Sequence, residues 1–292
     1  MTVKLILIEG SHEVSFIHRL ILLNNNFSFI KPTEIKVFEQ KYSDVFGQKR
    51  INLTEFYKAR LAKGALYNDR GHYYDLAPFF YFNLVTNTLV ITWNYEGRTN
   101  KKLINEAVEL LGILIFDSGR FAKDEIKKFS IFIQTDADDN IEASKDEFVG
   151  QFEDGDCFEI ADQNSSFNEL NINSDIFRLK AISPCFNFVD EVIVYLYLLT
   201  TNIKSTDGNL DSVIQTLLQQ NTYFDIIKEM VHNEAYRTTG LAKKRKCIIG
   251  ALGQEFAGGY SNSVMLSNSD FISDIQIMST DFSKAVNYFL NE

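Results

Sequence analysis

The sequence predicts an α/β fold: a parallel sheet flanked by helices, with a large insertion and a helical C-terminal part. Three observations predict it. Runs of β-branched, leucine and aromatic residues at 3–8, 128–135 and 192–199 have the length and continuous apolarity of strands buried on both faces. The first run gives way at Glu9-Gly10 to a helical pattern, and the third gives way to a loop and then a helix. Two of the runs end on acids, Glu9 after VKLILI and the cluster from Asp136 after KFSIFIQT.

The elements follow in order. In HEVSFIHRLILL the apolar residues Val14, Phe16, Ile17, Leu20 and Ile21 recur at three and four residue spacings, which puts them on one helical face. TEIKVFEQ at 33–40 reads as a second strand through Ile35, Val37 and Phe38. NLTEFYKARLA carries a helix start near residue 53, FFYFNLVTNTLVITW reads as a hairpin around TNT, and residues 101–115 form an amphipathic helix. That region exceeds what a simple crossover needs and reads as an insertion. The polar stretch 151–176 reads as loop. A helix starts near Asp207 to Asn209, and further helices are expected at 222–236, 242–256 and 281–290. The chain is therefore read as one elaborated domain over 1–292, with a core of 1–40 and 126–220, an insertion 41–125 and a helical part 221–292.

Composition removes several classes. With 292 residues, 45% of them hydrophobic, and with 25 Phe, 13 Tyr and 3 Pro, the chain can bury a sizeable core and is not disordered as a whole. No apolar run approaches the roughly 18 residues of a membrane span, and the N-terminus has no signal-peptide pattern, so no membrane partner and a cytoplasmic address are expected. Cys157, Cys185 and Cys247 are too scattered for a disulfide framework or a C-x-x-C zinc site and read as core thiols. A net charge of −10 argues against diffuse binding to nucleic acid, because that attraction scales with the phosphates neutralised. Any such binding must be local and metal-assisted.

In an open α/β sheet, ligands bind outside the carboxyl ends of the strands. Glu9, Asp136 and Asp138 occupy such ends, and Asp211 sits in the loop-to-helix segment after VYLYLL. Carboxylates that share a cleft need a cation to stay ionised together, and oxygen-only ligands select a hard one, Mg2+ or Mn2+. The plain alternative is that acids cap helices and fill turns.

LILIEG followed by Glu13 and Phe16, together with FIQTDADD, resembles the Toprim domain of topoisomerases, bacterial primases and overcoming-lysogenization-defect nucleases. YLLTTNIKSTDGNLDSVI looks like the Gly-x-Leu-acid stretch of stand-alone bacterial Toprim proteins of unknown function, with Asp211 where a glutamate is usual. The resemblance covers 1–24 and 128–140, with support from 192–216. The glycine that often follows the Asp-x-Asp is replaced by Asp139-Asn140-Ile141. The resemblance implies metal-dependent hydrolysis of a nucleic-acid phosphodiester, with Glu9, Asp136 and Asp138 as catalytic and metal-binding residues and Asp211 as a further ligand. By analogy it also implies defence against mobile elements. The chain has no zinc-binding module and no G-x-x-x-x-G-K-[ST], so an ATPase would have to act in trans. A non-catalytic metal- or nucleic-acid-binding module that works with such an ATPase is the rival reading. Lys243, Lys244, Arg245 and Lys246 form the dense basic run that would dock a phosphate backbone, or they are simply a solvated helix face. His12 and His18 fall on different faces of the first helix without a ligand-like partner, His72 and His232 are isolated, and the aromatic run His72-Tyr73-Tyr74 with 79–82 reads as core, as a homo-oligomer contact or as a base-stacking surface.

Overall fold

The computed structural model describes the chain apart from residues 25, 44–45, 47–50, 68–77, 96–102, 105, 109–125, 127, 139, 154–156, 165–173, 183–188, 202–204, 206, 220–222, 236–239, 258–265 and 267–271. The described elements are, in chain order, β1 (Thr2–Ile8), α1 (Ser11–Leu23), β2 (Ser28–Ile30), α2 (Ile35–Lys41), α3 (Leu53–Tyr67), β3 (Phe79–Asn83), β4 (Thr88–Asn94) and β5 (Lys128–Asp136). There follow α4 (Ile141–Glu153), β6 (Phe158–Asn164), β7 (Ser174–Ala181), β8 (Glu191–Leu199), α5 (Leu210–Leu218), α6 (Phe224–Met230), α7 (Leu241–Ala257), α8 (Asp274–Met278) and α9 (Asp281–Asn291). The strands form one eight-stranded sheet in the order β2-β3-β4-β1-β5-β8-β7-β6. Its centre, β4-β1-β5-β8, is parallel, and an antiparallel extension borders it on each side.

The sheet is buried on both faces, which explains why its central strands read as unbroken apolar runs. Val3, Leu5 and Leu7 of β1 pack with Ile35 of α2, Leu53 and Phe56 of α3 and Phe148 of α4. Ile6 and Ile8 point the other way, into a core built by α1 and by α5 to α9. The parallel strands, the hairpin around Thr86-Asn87-Thr88, the helix from 53, the helix that begins after Asn209 and the C-terminal helices all form where the sequence places them. Of the helix expected at 101–115, residues 103–104 and 106–108 are helical, and the rest lies outside the described residues.

Three segments differ from the expectation. Residues 33–40 are not a strand: a 3-10 turn with Pro32 at its first position leads into α2. A strand would put Ile35 and Val37 on one face, yet Ile35 is buried while Val37 is 64% exposed. The spacing that packs is helical, with Phe38 against Tyr42 at 4.7 Å and Phe82 at 5.9 Å. The polar stretch 151–176 is not all loop, because its 158–164 portion forms β6 and Ser174 begins β7, which pairs with β8. An edge strand such as β6 needs no continuous apolar run, and a register shift between Ile160 and Asp162 further blurs its alternation. Finally, α4 follows the Asp-x-Asp strand where no helix is expected, since little but Ser144 and Phe148 of its described side chains is buried. The segment read as an insertion, 41–125, contributes β3 and β4 to the sheet, with β4 directly beside β1.

Candidate functional site

The chain leaves β1 into α1 on one face of the sheet and leaves β5 into α4 on the opposite face. Adjacent parallel strands whose following helices diverge in this way open a crevice at their carboxyl ends. Glu9 and Asp136 stand at that point. Glu9 Oε2 accepts hydrogen bonds from Thr135 Oγ1 and from the Asp136 backbone N–H, both at 2.8 Å. The Glu9 N–H donates to Gln134 Oε1 at 3.3 Å, and Gln134 Nε2 donates to Asp136 Oδ1 at 3.4 Å. Gln134 and Thr135 are fully buried, so these acids are oriented by polar groups that have no solvent to turn to. Tyr95, just past β4, completes the frame: its hydroxyl donates to the Gln134 carbonyl and its N–H to the Ile8 carbonyl, both at 2.9 Å.

Glu13 lies one turn into α1 and is 7% exposed. Its carboxylate folds back over Gly10, where an added Cβ would meet Glu13 Oε2 at 2.5 Å, so the glycine provides the space. Burial pushes its carboxyl up to about 7; the Glu9 and Asp211 charges add to that, while a backbone hydrogen bond and Lys246 oppose it. Asp211 is also buried and shifted upward, first by burial, against the pull of Lys246, His12 and Arg245. It is positioned by the start of α5, where Asn209 and Ser212 form a reciprocal capping box.

Asp138 adopts a left-handed conformation, φ 46°, and its backbone pairs with Gly208 through N–H to carbonyl bonds of 2.8 and 2.9 Å in both directions. Asn140 then caps α4 by accepting from the Glu142 and Ala143 N–H groups. That is how this chain makes the turn in the absence of a following glycine; Asp139 itself lies outside the described residues. The basic run is on α7, and two of its members face the acidic loop: Arg245 approaches Asp207 at 3.8 Å and Lys246 approaches Asp211 at 4.0 Å. Lys243 is exposed and Lys244 half-buried. His12 acts electrostatically on Asp211, whereas His18 is bound to the Tyr81 hydroxyl at 2.7 Å among Phe29 and Phe79. His72 and Cys185 fall outside the described residues, and Cys157 and Cys247 are half-buried against the two cores.

The site thus brings Glu9, Asp136, Glu13 and Asp211 toward one crevice, with Asp138 anchored beside it. Among the described residues, no group of three or more His, Cys, Asp and Glu side chains is gathered closely enough to hold a metal ion by itself. The residues missed from sequence are Gln134, Thr135 and Tyr95. The signal for the first two was polar residues inside a buried strand; Tyr95 gave none. Gly208 stands in the Gly-x-Leu-acid stretch, but its pairing with Asp138 was not legible.

No protein-family model and no curated protein matches the chain. Among solved structures, a hypothetical protein PH0156 from Pyrococcus horikoshii OT3 is similar at 15% identity with a TM-score of 0.42, over 100% of this chain and 95% of that one. Likeness at that level assigns neither fold family nor function.

Proposed function

We propose that the crevice at the ends of β1 and β5 is the site of a Toprim-like, magnesium-dependent phosphodiester hydrolase that acts on nucleic acid in the cytoplasm, with defence against mobile elements as its setting. The observation that carries the reading is the tie between Glu9 and Asp136, whose carboxylates are oriented by one buried Gln134-Thr135 pair at the point where the flanking helices diverge. Glu9 and Asp136 would hold Mg2+ or Mn2+, with Asp138 and Asp211 completing the acidic wall. A divalent cation there supplies polarisation of a phosphodiester oxygen and of the attacking water. Glu13, protonated about half the time near pH 7, is suited to pass a proton to or from the reacting oxygens. Lys243 and Lys244 would meet phosphates, with Arg245 and Lys246 joining them on leaving Asp207 and Asp211.

Purified protein incubated with supercoiled plasmid, single-stranded DNA and structured RNA in magnesium or manganese should cleave at least one of them. Asp136→Ala should lose about 100-fold or more of that activity. Cleavage retained by the variant would refute the reading. A second reading, a metal- or nucleic-acid-binding module that works with an ATPase in trans, is favoured by the acidic balance of the chain, net charge −10. Metal binding without cleavage, together with co-purification of an ATPase, would select it.

A further inference from the structure

We infer that Gly208 is a positioning residue for the acidic site, holding Asp138 in place from a loop 70 residues further along the chain; the inference rests on the hydrolase reading. Asp138 has φ 46°, a left-handed conformation that a partner helps to hold. The partner is the isolated bridge to Gly208, with Asp138 N–H donating to the Gly208 carbonyl at 2.8 Å and Gly208 N–H donating to the Asp138 carbonyl at 2.9 Å.

Only glycine fits at 208, for two independent reasons. Its φ is +154°, a region side chains rarely enter, and an added Cβ would lie 2.3 Å from Thr201 N and 2.6 Å from Thr200 C. Both are backbone atoms and cannot swing aside. Thr201 is itself tied down, because its N–H donates to the Asp207 carbonyl at 3.2 Å, while Ala137 N–H donates to the Leu199 carbonyl at 3.2 Å. The loops after β5 and β8 are therefore joined by backbone bonds. The next residue, Asn209, caps α5 and so fixes Asp211. One glycine thereby sets the spacing between the second acid of the Asp-x-Asp and the acid of the following helix.

The test is Mg2+ affinity by calorimetry on the full chain, for wild type, Gly208→Ala, Asp138→Asn and the double variant. Asparagine tolerates the left-handed conformation, so Asp138→Asn removes the charge and leaves the turn. Each single change should weaken binding by about tenfold or more, and the double variant should bind no more weakly than the worse single one, because Gly208 acts through Asp138. A purely structural role would lower the melting temperature while leaving the affinity of the folded fraction unchanged or making the two effects add. Either of these results overturns the inference.

If Gly208→Ala does not fold, amide exchange of the wild type decides. Mg2+ should slow the Asp138 and Gly208 amides by the same factor, and any other pattern overturns the inference. Wild type that binds Mg2+ with both single variants unaffected would sink the positioning role and leave the hydrolase standing. Absence of both Mg2+ binding and cleavage would sink the two together.

Discussion

The two ends of the parallel sheet each bury ionisable groups, and they treat them oppositely. At the amino ends, Lys4 of β1 is 3% exposed, yet its ammonium donates to the Phe289 and Leu290 carbonyls at 2.5 and 3.1 Å and lies 5.1 Å over the Phe289 ring. Its charge meets the unpaired carbonyls at the end of α9, where a cation belongs. Glu292 helps, accepting from Tyr195 and, through its backbone, from Lys128. At the carboxyl ends, Glu13 is buried beside Glu9 and Asp211, charges of its own sign, against which stand a backbone hydrogen bond and the well-exposed Lys246. A buried charge given partners is a structural device. A buried acid left among other acids spends fold stability on a site that is completed by something else, which is the physical basis for looking for function there.

The sharpest way to break that contrast is the pH dependence of stability. Glu13 keeps its proton up to about pH 7 when folded and loses it near 4.5 when unfolded, so the folded state binds the extra proton between these values and stability falls as pH rises through them. Glu13→Gln removes this loss. Denaturant melts should show it close to wild type below pH 4.5 and more stable by up to about 3 kcal/mol above pH 7. A constant difference across that range would show that Glu13 is not strained.

Lys4 should give the mirror image over a different window and by a comparable amount, since about 8 lies as far below 10.5 as about 7 lies above 4.5. Burial and Lys128 hold it at about 8 against the ordinary 10.5, so the unfolded chain binds the extra proton between those values and stability rises with pH there. The stability of wild type relative to Lys4→Met should climb from pH 8 to 10.5 in urea titrations; a fall would reverse the assignment of cause. Lys246→Ala should have the smallest effect. It removes the charge that opposes Glu13 from beside Asp211, 4.0 Å away from that carboxylate, so the Glu13 titration followed by carbonyl NMR moves upward, by about 0.5 kcal/mol or less because Lys246 is largely exposed. A downward movement would mean that Lys246 does not face the site.

What the sequence disclosed follows from how many faces of a segment are buried. β1, β5 and β8 are enclosed on both faces, and their composition leaves no other reading. The hairpin at 79–94 was legible through its turn, where Asn87 takes φ 52°. β6 was hidden because an edge strand needs little apolar content, and α2 because Ile35, Val37 and Phe38 fit a period of two as well as one of 3.6 over so short a span. At the site, Glu9, Asp136, Asp138 and Asp211 could be proposed from their strand-end positions alone. Tyr95 could not, nor could the pairing of Gly208 with Asp138, since both rest on backbone contacts between residues far apart in the chain, and no local pattern encodes such a pairing.

The Lys4 contact also bears on when the molecule can finish folding. β1 is the first strand made, yet its partners are β4, β5 and, through Lys4, the carbonyls of residues 289 and 290. During synthesis the nascent chain therefore holds an apolar strand with both edges unpaired until residue 94 has left the ribosome, one edge unpaired until residue 136 has done so, and an ammonium without its acceptors until residue 290 follows. High contact order of this kind makes folding slow and leaves the early strand open to mispairing. A chaperone that shields β1 during translation should raise the soluble yield, and a chain arrested before α9 should be its strongest client.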